Sequence, residues 1–217
     1  MVLLPQQLSG MRLGCESSKL YSVPKGLLGA EPPINSWGRL LGVQRVKGQN
    51  DIYPDCVPTG YCNQIQLAKA ESGDFSLIDD GVPLSIYKVF DPTLTKGMCP
   101  EDLYAWGMST AVDGWKLKTW QRLDHTNEQD LRLTIKRLGS IGLIVELGLA
   151  QQNQIVWTPG TGDTPGSWGG HYVCADSCSG AISDGTSWGQ PAYIDREYFQ
   201  TPGYVVGAYA LEFEFVA

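Results

Sequence analysis

The clearest periodic pattern of apolar positions lies between residues 128 and 138, where charged and polar residues fill the intervening positions. The apolar residues of this stretch are three and four positions apart: Leu131, Ile135 and Leu138. Such spacing places them on one face of an α-helix. Asn127 precedes the pattern as a typical first cap and Gly139 follows it as a typical last cap. The pattern predicts an amphipathic helix here and a strand over residues 143–149.

A second helix is predicted from about Cys56 to Glu71. Asp55 stands before it as an N-cap, and Pro58 falls within the first turn, where proline is tolerated. Its apolar positions are Ile65, Leu67 and Ala68, and Gly73 closes it. Shorter helical pieces are expected around residues 84–90 and, after Pro100, over residues 101–108.

The last third of the chain is rich in Gly, Trp and Tyr, and its pattern favours antiparallel strands over residues 172–175, 192–194 and 204–216. In the last of these, Tyr209, Leu211, Phe213 and Phe215 share one face. Glu212 and Glu214 take the opposite face, where solvated carboxylates are the simplest interpretation. An earlier strand is expected over residues 116–123. Helices early and strands late predict an α+β fold with a cleft between its two parts.

The chain divides into an extended N-terminal arm over residues 1–34, ending at Pro32-Pro33, and one domain over residues 35–217. The domain is expected to have a helical lobe, about residues 50–125, and a β lobe, about residues 140–217. An arm of this kind either wraps its own domain or reaches a neighbouring subunit.

Charge and hydropathy exclude several classes of protein. A net charge of −7 and a pI near 4.8 argue against a nucleic-acid partner, which requires clustered Lys and Arg. No apolar run is long enough to predict a membrane span. The first residues lack the pattern of a secretory signal, so a cytoplasmic or virion-associated location is expected.

Six cysteines in 217 residues are too few for a disulfide scaffold. Cys174 and Cys178 are close enough in sequence to close a short loop, and whether they pair is left open. The spacing of the cysteines and histidines matches no zinc site, so neither a metal nor another cofactor is expected.

Two residues carry the candidate chemistry. Cys56 lies at the head of a predicted helix, where the helix dipole favours a thiolate. His171 lies in the glycine-flanked stretch Ser-Trp-Gly-Gly-His-Tyr-Val before a strand, and the chain has only one other histidine. A cysteine and a later histidine in this order can form a nucleophile and its base.

Four stretches carry a family resemblance, in the same order as in that family. They are Trp37-Gly-Arg-Leu-Leu-Gly-Val-Gln-Arg-Val-Lys-Gly-Gln49, the helix and strand over residues 128–149, Trp168-Gly-Gly-His-Tyr-Val173, and Ser183-Asp-Gly-Thr-Ser-Trp-Gly189 with Ala192-Tyr-Ile194. Together they resemble papain-like cysteine peptidases over residues 35–215. The resemblance implies the papain-like fold and a cysteine-dependent hydrolase.

The resemblance also implies roles for single residues. Cys56 would be the nucleophile and His171 the base. An amide side chain would help to hold the oxyanion: Gln49 matches by its neighbours, whereas Asn50 matches by its distance of six residues from Cys56 and is favoured by that spacing. Asp184 would orient the imidazole, although a different alignment leaves only Ser183 nearby.

Three functions remain open at this point. The first is hydrolysis of a peptide or isopeptide-like amide in a peptide or protein substrate, through a thioester on Cys56. The second is a catalytically silent, papain-fold structural protein of a phage virion or similar assembly, which contacts neighbouring subunits through its arm. The third is a cell-wall amidase, which uses a similar order of Cys and His.

Overall fold

The computed structural model describes residues 35–36, 42–154, 156–179, 182–187 and 190–216. Helices within these residues are α1 (Cys56–Glu71), α2 (Gly81–Phe90), α3 (Pro100–Gly107), α4 (Glu128–Leu138) and α5 (Arg196–Gln200), with a 3₁₀ helix over Leu149–Asn153. The predicted arm lies outside the described residues, as do Trp37 and the pair Trp188-Gly189 of the sequence motifs.

The strands of the described residues form one sheet: β1 (Asn35–Ser36), β2 (Trp115–Leu123), β3 (Ile141–Leu147), β4 (Val156–Trp157), β5 (Gly169–Ser179), β6 (Ile182–Ser187), β7 (Gln190–Asp195) and β8 (Val205–Phe215). Their order across the sheet is β2-β8-β3-β5-β6-β7-β4, and β1 pairs with β5. The pairings are antiparallel except that of β4 with β7. The predicted α+β class is confirmed.

Helices cover both faces of this sheet. On β8, Tyr209 and Leu211 belong to a core shared with α1, α2 and α3, whereas Ala208 and Ala210 belong to a second core with α4 and α5. The alternation follows from the two-residue period of a strand. It places one apolar layer on each side of the central strands.

At its exposed end, β8 pairs its acidic residues with lysines of β2. Lys118 contacts Glu212 at 2.7 Å, and Lys116 contacts Glu214 at 3.3 Å, between side chains that are partly in solvent. The two glutamates therefore lie on a solvated face, as their alternation with aromatic residues indicates.

Helix α1 is the most deeply buried helix of the described residues. Tyr61, Ile65 and Val57 are fully enclosed, and each such side chain contributes about 1.5–3 kcal/mol through burial. Even Lys69 of this helix is buried, and its ammonium group pairs with Asp113 and, at 3.5 Å, with Asp74. The helix thus forms a fixed support for the residue at its N-terminus.

The caps predicted for α4 are present. The Asn127 side chain accepts a hydrogen bond from the backbone N–H of Asp130 at 3.3 Å, and Gly139 adopts the left-handed conformation with φ of 76°. The left-handed residue ends the helix because it turns the chain away from the helical path. The chain then enters β3 two residues earlier than the pattern predicts.

Several elements differ from the prediction. Strand β6 and the two-residue strand β4 are additional, and the short helix α5 follows β7 directly. Strand β2 pairs with β8, so the sheet includes residues that the sequence division assigns to the helical lobe. No helix in the described part of the chain is long and apolar enough to cross a membrane.

Candidate active site

Cys56 is the first residue of α1 and is only 1% exposed. The helix begins here because the carbonyl of Asp55 accepts the first intrahelical hydrogen bond, from the N–H of Thr59 at 3.0 Å. Pro58 fits in this turn, since the first N–H groups of a helix have no intrahelical partner. The sulfur therefore lies at the positive end of the α1 dipole.

Burial dominates the electrostatics of the thiol and raises the pKa of Cys56 to about 12. The backbone N–H of Tyr172 donates to the sulfur and lowers that pKa, while the nearby carboxylate of Asp55 raises it. At neutral pH the substrate-free protein therefore holds Cys56 as a neutral thiol.

His171 lies on β5, opposite Val145 of β3, and is 2% exposed. Its ring meets Trp157 edge to face, with ring centroids 6.5 Å apart. Burial lowers the pKa of His171 to about 3, because an imidazolium would lose its hydration there. The imidazole is therefore neutral at pH 7, which is the form that can accept a proton.

Strand β5 meets the start of α1 at the residue after His171. Tyr172 faces α1 and belongs to the core that contains Cys56, whereas Val173 belongs to the core on the other face. By the two-residue period of the strand, His171 shares the Val173 face, where Trp157 also lies. The structure thus brings Cys56 against the backbone of the histidine's strand, and the catalytic pairing of the two side chains remains a prediction.

The two candidate oxyanion amides lie in the turn before α1, which Gly48 enters with φ of +64°. The Gln49 carbonyl accepts from the N–H groups of Ile52 and Tyr53 at 2.9 and 2.8 Å, which folds the turn back toward the helix. Gln49 is half-buried, and Asn50 is 4% exposed. Both amides therefore come from the loop that leads into Cys56, and the choice between them stays open.

Asp184 lies on β6, with its backbone opposite Ser177 of β5 and Tyr193 of β7. Ser177 is six residues along β5 from His171, a distance of roughly 20 Å in an extended strand. The orientation of the imidazole by Asp184, or by the neighbouring Ser183, remains a prediction.

Tyr172 is a site residue that the sequence motifs did not identify. Its hydroxyl donates to Oε1 of Gln64 at 2.9 Å and lies 2.8 Å from the hydroxyl of Tyr104. A Cβ added at Gly60 would meet the Tyr172 ring at 2.3 Å, and one at Gly142 would meet its hydroxyl at 1.8 Å. The signal in the sequence is a glycine inside a helix and another inside a strand, where each costs stability unless it makes room for a neighbour.

The remaining cysteines do not form a metal site with the acids and histidines of the described residues. Cys62 and Cys174 are free, buried thiols, whereas Cys99 is disulfide-bonded. The possible bond between Cys174 and Cys178 is therefore not formed. Both residues lie on β5, where four residues span about 13 Å, and a disulfide requires Cα atoms less than about 7 Å apart.

Sequence comparisons and structure comparisons give different results for this chain. No protein-family model matches it, and no curated protein sequence matches it significantly. Xylellain, a cysteine protease from Xylella fastidiosa, superposes with a TM-score of 0.67, covering 98% of this chain and 99% of that chain, at 14% identity.

Two further solved structures give similar superpositions. The stem bromelain precursor has a TM-score of 0.67, covering 95% of this chain and 77% of that chain at 13% identity. Digestive procathepsin L 3 of Tenebrio molitor has a TM-score of 0.65, covering 94% and 76% at 11% identity. The chain therefore has the papain-like fold that its sequence motifs predict.

Proposed function

We propose that the protein is a cysteine-dependent hydrolase that cleaves an amide bond in a peptide or protein substrate. Cys56 is the nucleophile, and His171 is the base. The observation that carries the proposal is the position of Cys56: it opens the buried helix α1 and lies against β5 at the residue next to His171. This position occurs in a fold shared with cysteine proteases such as xylellain.

The reaction would proceed by acyl transfer. As the Cys56 sulfur attacks the substrate carbonyl carbon, His171 accepts the thiol proton and then gives it to the leaving nitrogen. The N–H of Cys56 and the amide of Gln49 or Asn50 would stabilise the oxyanion. Water then hydrolyses the thioester, with His171 again acting as base, and the free thiol is restored.

The pKa values in the substrate-free site bear on this mechanism. In the substrate-free site the two pKa shifts oppose transfer of the thiol proton to the imidazole, because burial disfavours both the thiolate and the imidazolium. Catalysis therefore requires that the pKa of Cys56 falls and that of His171 rises when substrate and water reach the site.

A trapping experiment tests the proposal. The full-length protein is incubated with a mixture of peptides, quenched in acid, and analysed by mass spectrometry for an acyl group on Cys56. We expect cleaved peptides and an acyl adduct at Cys56, and neither in the Cys56→Ala variant. Cleavage that survives in Cys56→Ala would overturn the proposal, as would intact peptides together with unmodified Cys56.

A second candidate function, the silent structural protein of a phage virion or similar assembly, is equally compatible with the burial of the two residues. Cys56 and His171 are each at most 2% exposed, which suits packed side chains as well as catalytic ones. In that case Cys56→Ala leaves assembly intact, whereas deletion of residues 2–34 prevents it. The two candidates thus differ in which variant abolishes the biological activity.

A further inference from the structure

Asp55, which immediately precedes Cys56, is fully buried. The sequence predicts that its side chain caps α1, but the carboxylate makes no capping hydrogen bond. Instead, Oδ2 turns back along the chain and accepts the backbone N–H of Gln49 at 3.0 Å. Its side chain therefore connects the start of the helix to the loop that carries both candidate oxyanion amides.

Two aspartates hold successive N–H groups of this loop. Oδ1 of Asp80, at the start of α2, accepts from Lys47 at 2.8 Å and from Gly48 at 3.3 Å. Asp55 accepts the next one, from Gln49. Asp80 is exposed and holds the outer end of the loop, whereas Asp55 is enclosed and holds the end nearest the thiol.

At Gly48 the loop lies directly against the first turn of α1. A Cβ added at Gly48 would meet Oγ1 of Thr59 at 2.3 Å and Oδ2 of Asp55 at 3.1 Å. Oδ1 of Asp55 is buried without a hydrogen-bond partner among the described residues, and the nearby Thr59 hydroxyl lowers the pKa of the carboxyl group only slightly. A carboxylate in this position is held at a cost to stability, because a buried charge without full hydrogen bonding is poorly solvated.

Burial, with a smaller contribution from the nearby carboxylate of Asp51, raises the pKa of Asp55 to about 6. Asp51 itself is paired with Lys47 at 3.1 Å. The carboxylate in turn raises the pKa of two thiols on α1, Cys56 and Cys62. Its charge therefore acts on the sulfur, while its hydrogen bond acts on the loop.

We infer that Asp55 is a positioning residue that sets the Gln49–Asn50 loop at a fixed distance from Cys56, so that the oxyanion amide and the nucleophile face the same substrate carbonyl. This inference rests on the proposed function. Gln49 lies seven residues before Cys56, one residue more than the six-residue spacing that Asn50 matches. The hydrogen bond from the Gln49 N–H to Asp55 connects this longer loop to the start of α1.

The test compares Asp55→Ala, Asp55→Asn and Asp80→Ala in the full-length protein. Removal of the acceptor in Asp55→Ala is expected to lower kcat about 100-fold with KM changed less than about threefold, as for loss of an oxyanion contact. Asp55→Asn keeps an acceptor oxygen and is expected to retain kcat within about fivefold. Asp80→Ala releases only the outer end of the loop, so kcat is expected to fall less than about threefold.

Two measurements do not require turnover and so separate this inference from the proposed function. Hydrogen exchange of the Gln49 N–H is expected to accelerate at least about tenfold in Asp55→Ala but not in Asp55→Asn. Alkylation of Cys56 by iodoacetamide is expected to shift to lower pH in Asp55→Asn, since the carboxylate no longer opposes the thiolate. If wild-type protein cleaves nothing, the proposed function fails while both measurements still report on Asp55.

Three results would overturn the inference. One is unchanged exchange of the Gln49 N–H in Asp55→Ala, and another is a loss of kcat in Asp80→Ala as large as that in Asp55→Ala. The third is exchange of the Gln49 N–H that accelerates in Asp55→Asn as much as the inference predicts for Asp55→Ala, although Asn keeps an acceptor oxygen. Because Asp55→Asn preserves the shape of the side chain and one acceptor oxygen, its exchange rate tests the inference even if Asp55→Ala does not fold.

Discussion

Gly60 of α1 packs directly against the ring of Tyr172, on the strand that carries His171. The aromatic ring occupies the space where a side chain at Gly60 would begin, and a Cβ there would approach the ring to 2.3 Å. The tyrosine hydroxyl continues along the helix to Gln64. This contact fixes the position of β5 relative to the residue that opens α1, Cys56.

Gly60→Ala is therefore expected to destabilise the protein. Glycine to alanine within a helix usually stabilises by up to about 1 kcal/mol, but overpacking against the Tyr172 ring costs about 1–3 kcal/mol. Urea unfolding measures the difference. As a control, the same change in a Tyr172→Ala background is expected to be neutral or stabilising, since the ring is gone. A stabilised Gly60→Ala single variant would contradict the contact.

Tyr172→Phe tests the hydroxyl separately from the ring. The change leaves Gln64 Oε1 and the Tyr104 hydroxyl buried without this partner, which is expected to cost about 1–3 kcal/mol of unfolding free energy. Tyr53→Phe, at a half-buried position in the loop before α1, is the matched control and is expected to change stability by less than about 0.5 kcal/mol. Equal effects of the two substitutions would mean that the network around Tyr172 contributes no stability.

Stability as a function of pH tests the burial of Asp55. Its pKa is about 6 in the folded protein against an ordinary 3.8, so the folded state binds more protons between these values. Stability from this group is present below pH 4 and is lost as pH rises through 6, by about 3 kcal/mol in total. Asp55→Asn is expected to be more stable than wild type at pH 8, and the difference is expected to disappear at pH 4. If Asp55→Asn and wild type were equally stable at pH 8 as well as at pH 4, the Asp55 carboxylate would be solvated in the folded protein.

His171 is expected to give the opposite dependence. Its pKa is about 3 in the folded protein against an ordinary 6.5, so the unfolded chain binds the proton first as the pH falls. Stability is therefore full above pH 6.5 and declines by about 1.4 kcal/mol per pH unit below it. The His171→Gln variant is expected to lack the decline in stability that this histidine causes below pH 6.5. Wild-type protein that instead gains stability relative to His171→Gln as the pH falls through 6.5 would indicate an imidazolium paired with a thiolate in the substrate-free protein.

Sequence patterns predicted the elements whose signals are local. Helix α4 carries an apolar stripe, an asparagine cap and a glycine stop, and helix α1 begins and ends where its pattern places it. Strand β6 was missed because its sequence, Ile-Ser-Asp-Gly-Thr-Ser, has no alternation of apolar and polar residues. Its pairing with β5 and β7 on either side is a tertiary effect that single-strand patterns do not contain.

In the candidate site, too, features with a local signal were predictable and those set by tertiary contacts were not. The head of α1 was predictable because a cysteine after an aspartate and before a proline marks a helix start. The role of the Asp55 side chain was not predictable, because its carboxylate accepts a hydrogen bond from the Gln49 N–H, six residues away, instead of capping its own helix. The register of β6 against β5 was not predictable either, since it depends on pairing across the sheet and not on local spacing.

The most direct test of the central claim uses a peptide that carries a thiol-directed electrophile in place of the scissile carbonyl. Wild-type protein, Cys56→Ala and His171→Gln are labelled at pH 7, and the modified residue is mapped by mass spectrometry, with iodoacetamide as the small, unguided comparison. We expect the peptide probe to label Cys56 at least about 100-fold faster than Cys62 or Cys174, and about 100-fold more slowly in His171→Gln. Labelling of Cys56 that is no faster than that of the other buried thiols, and equal in His171→Gln, would contradict a catalytic pair.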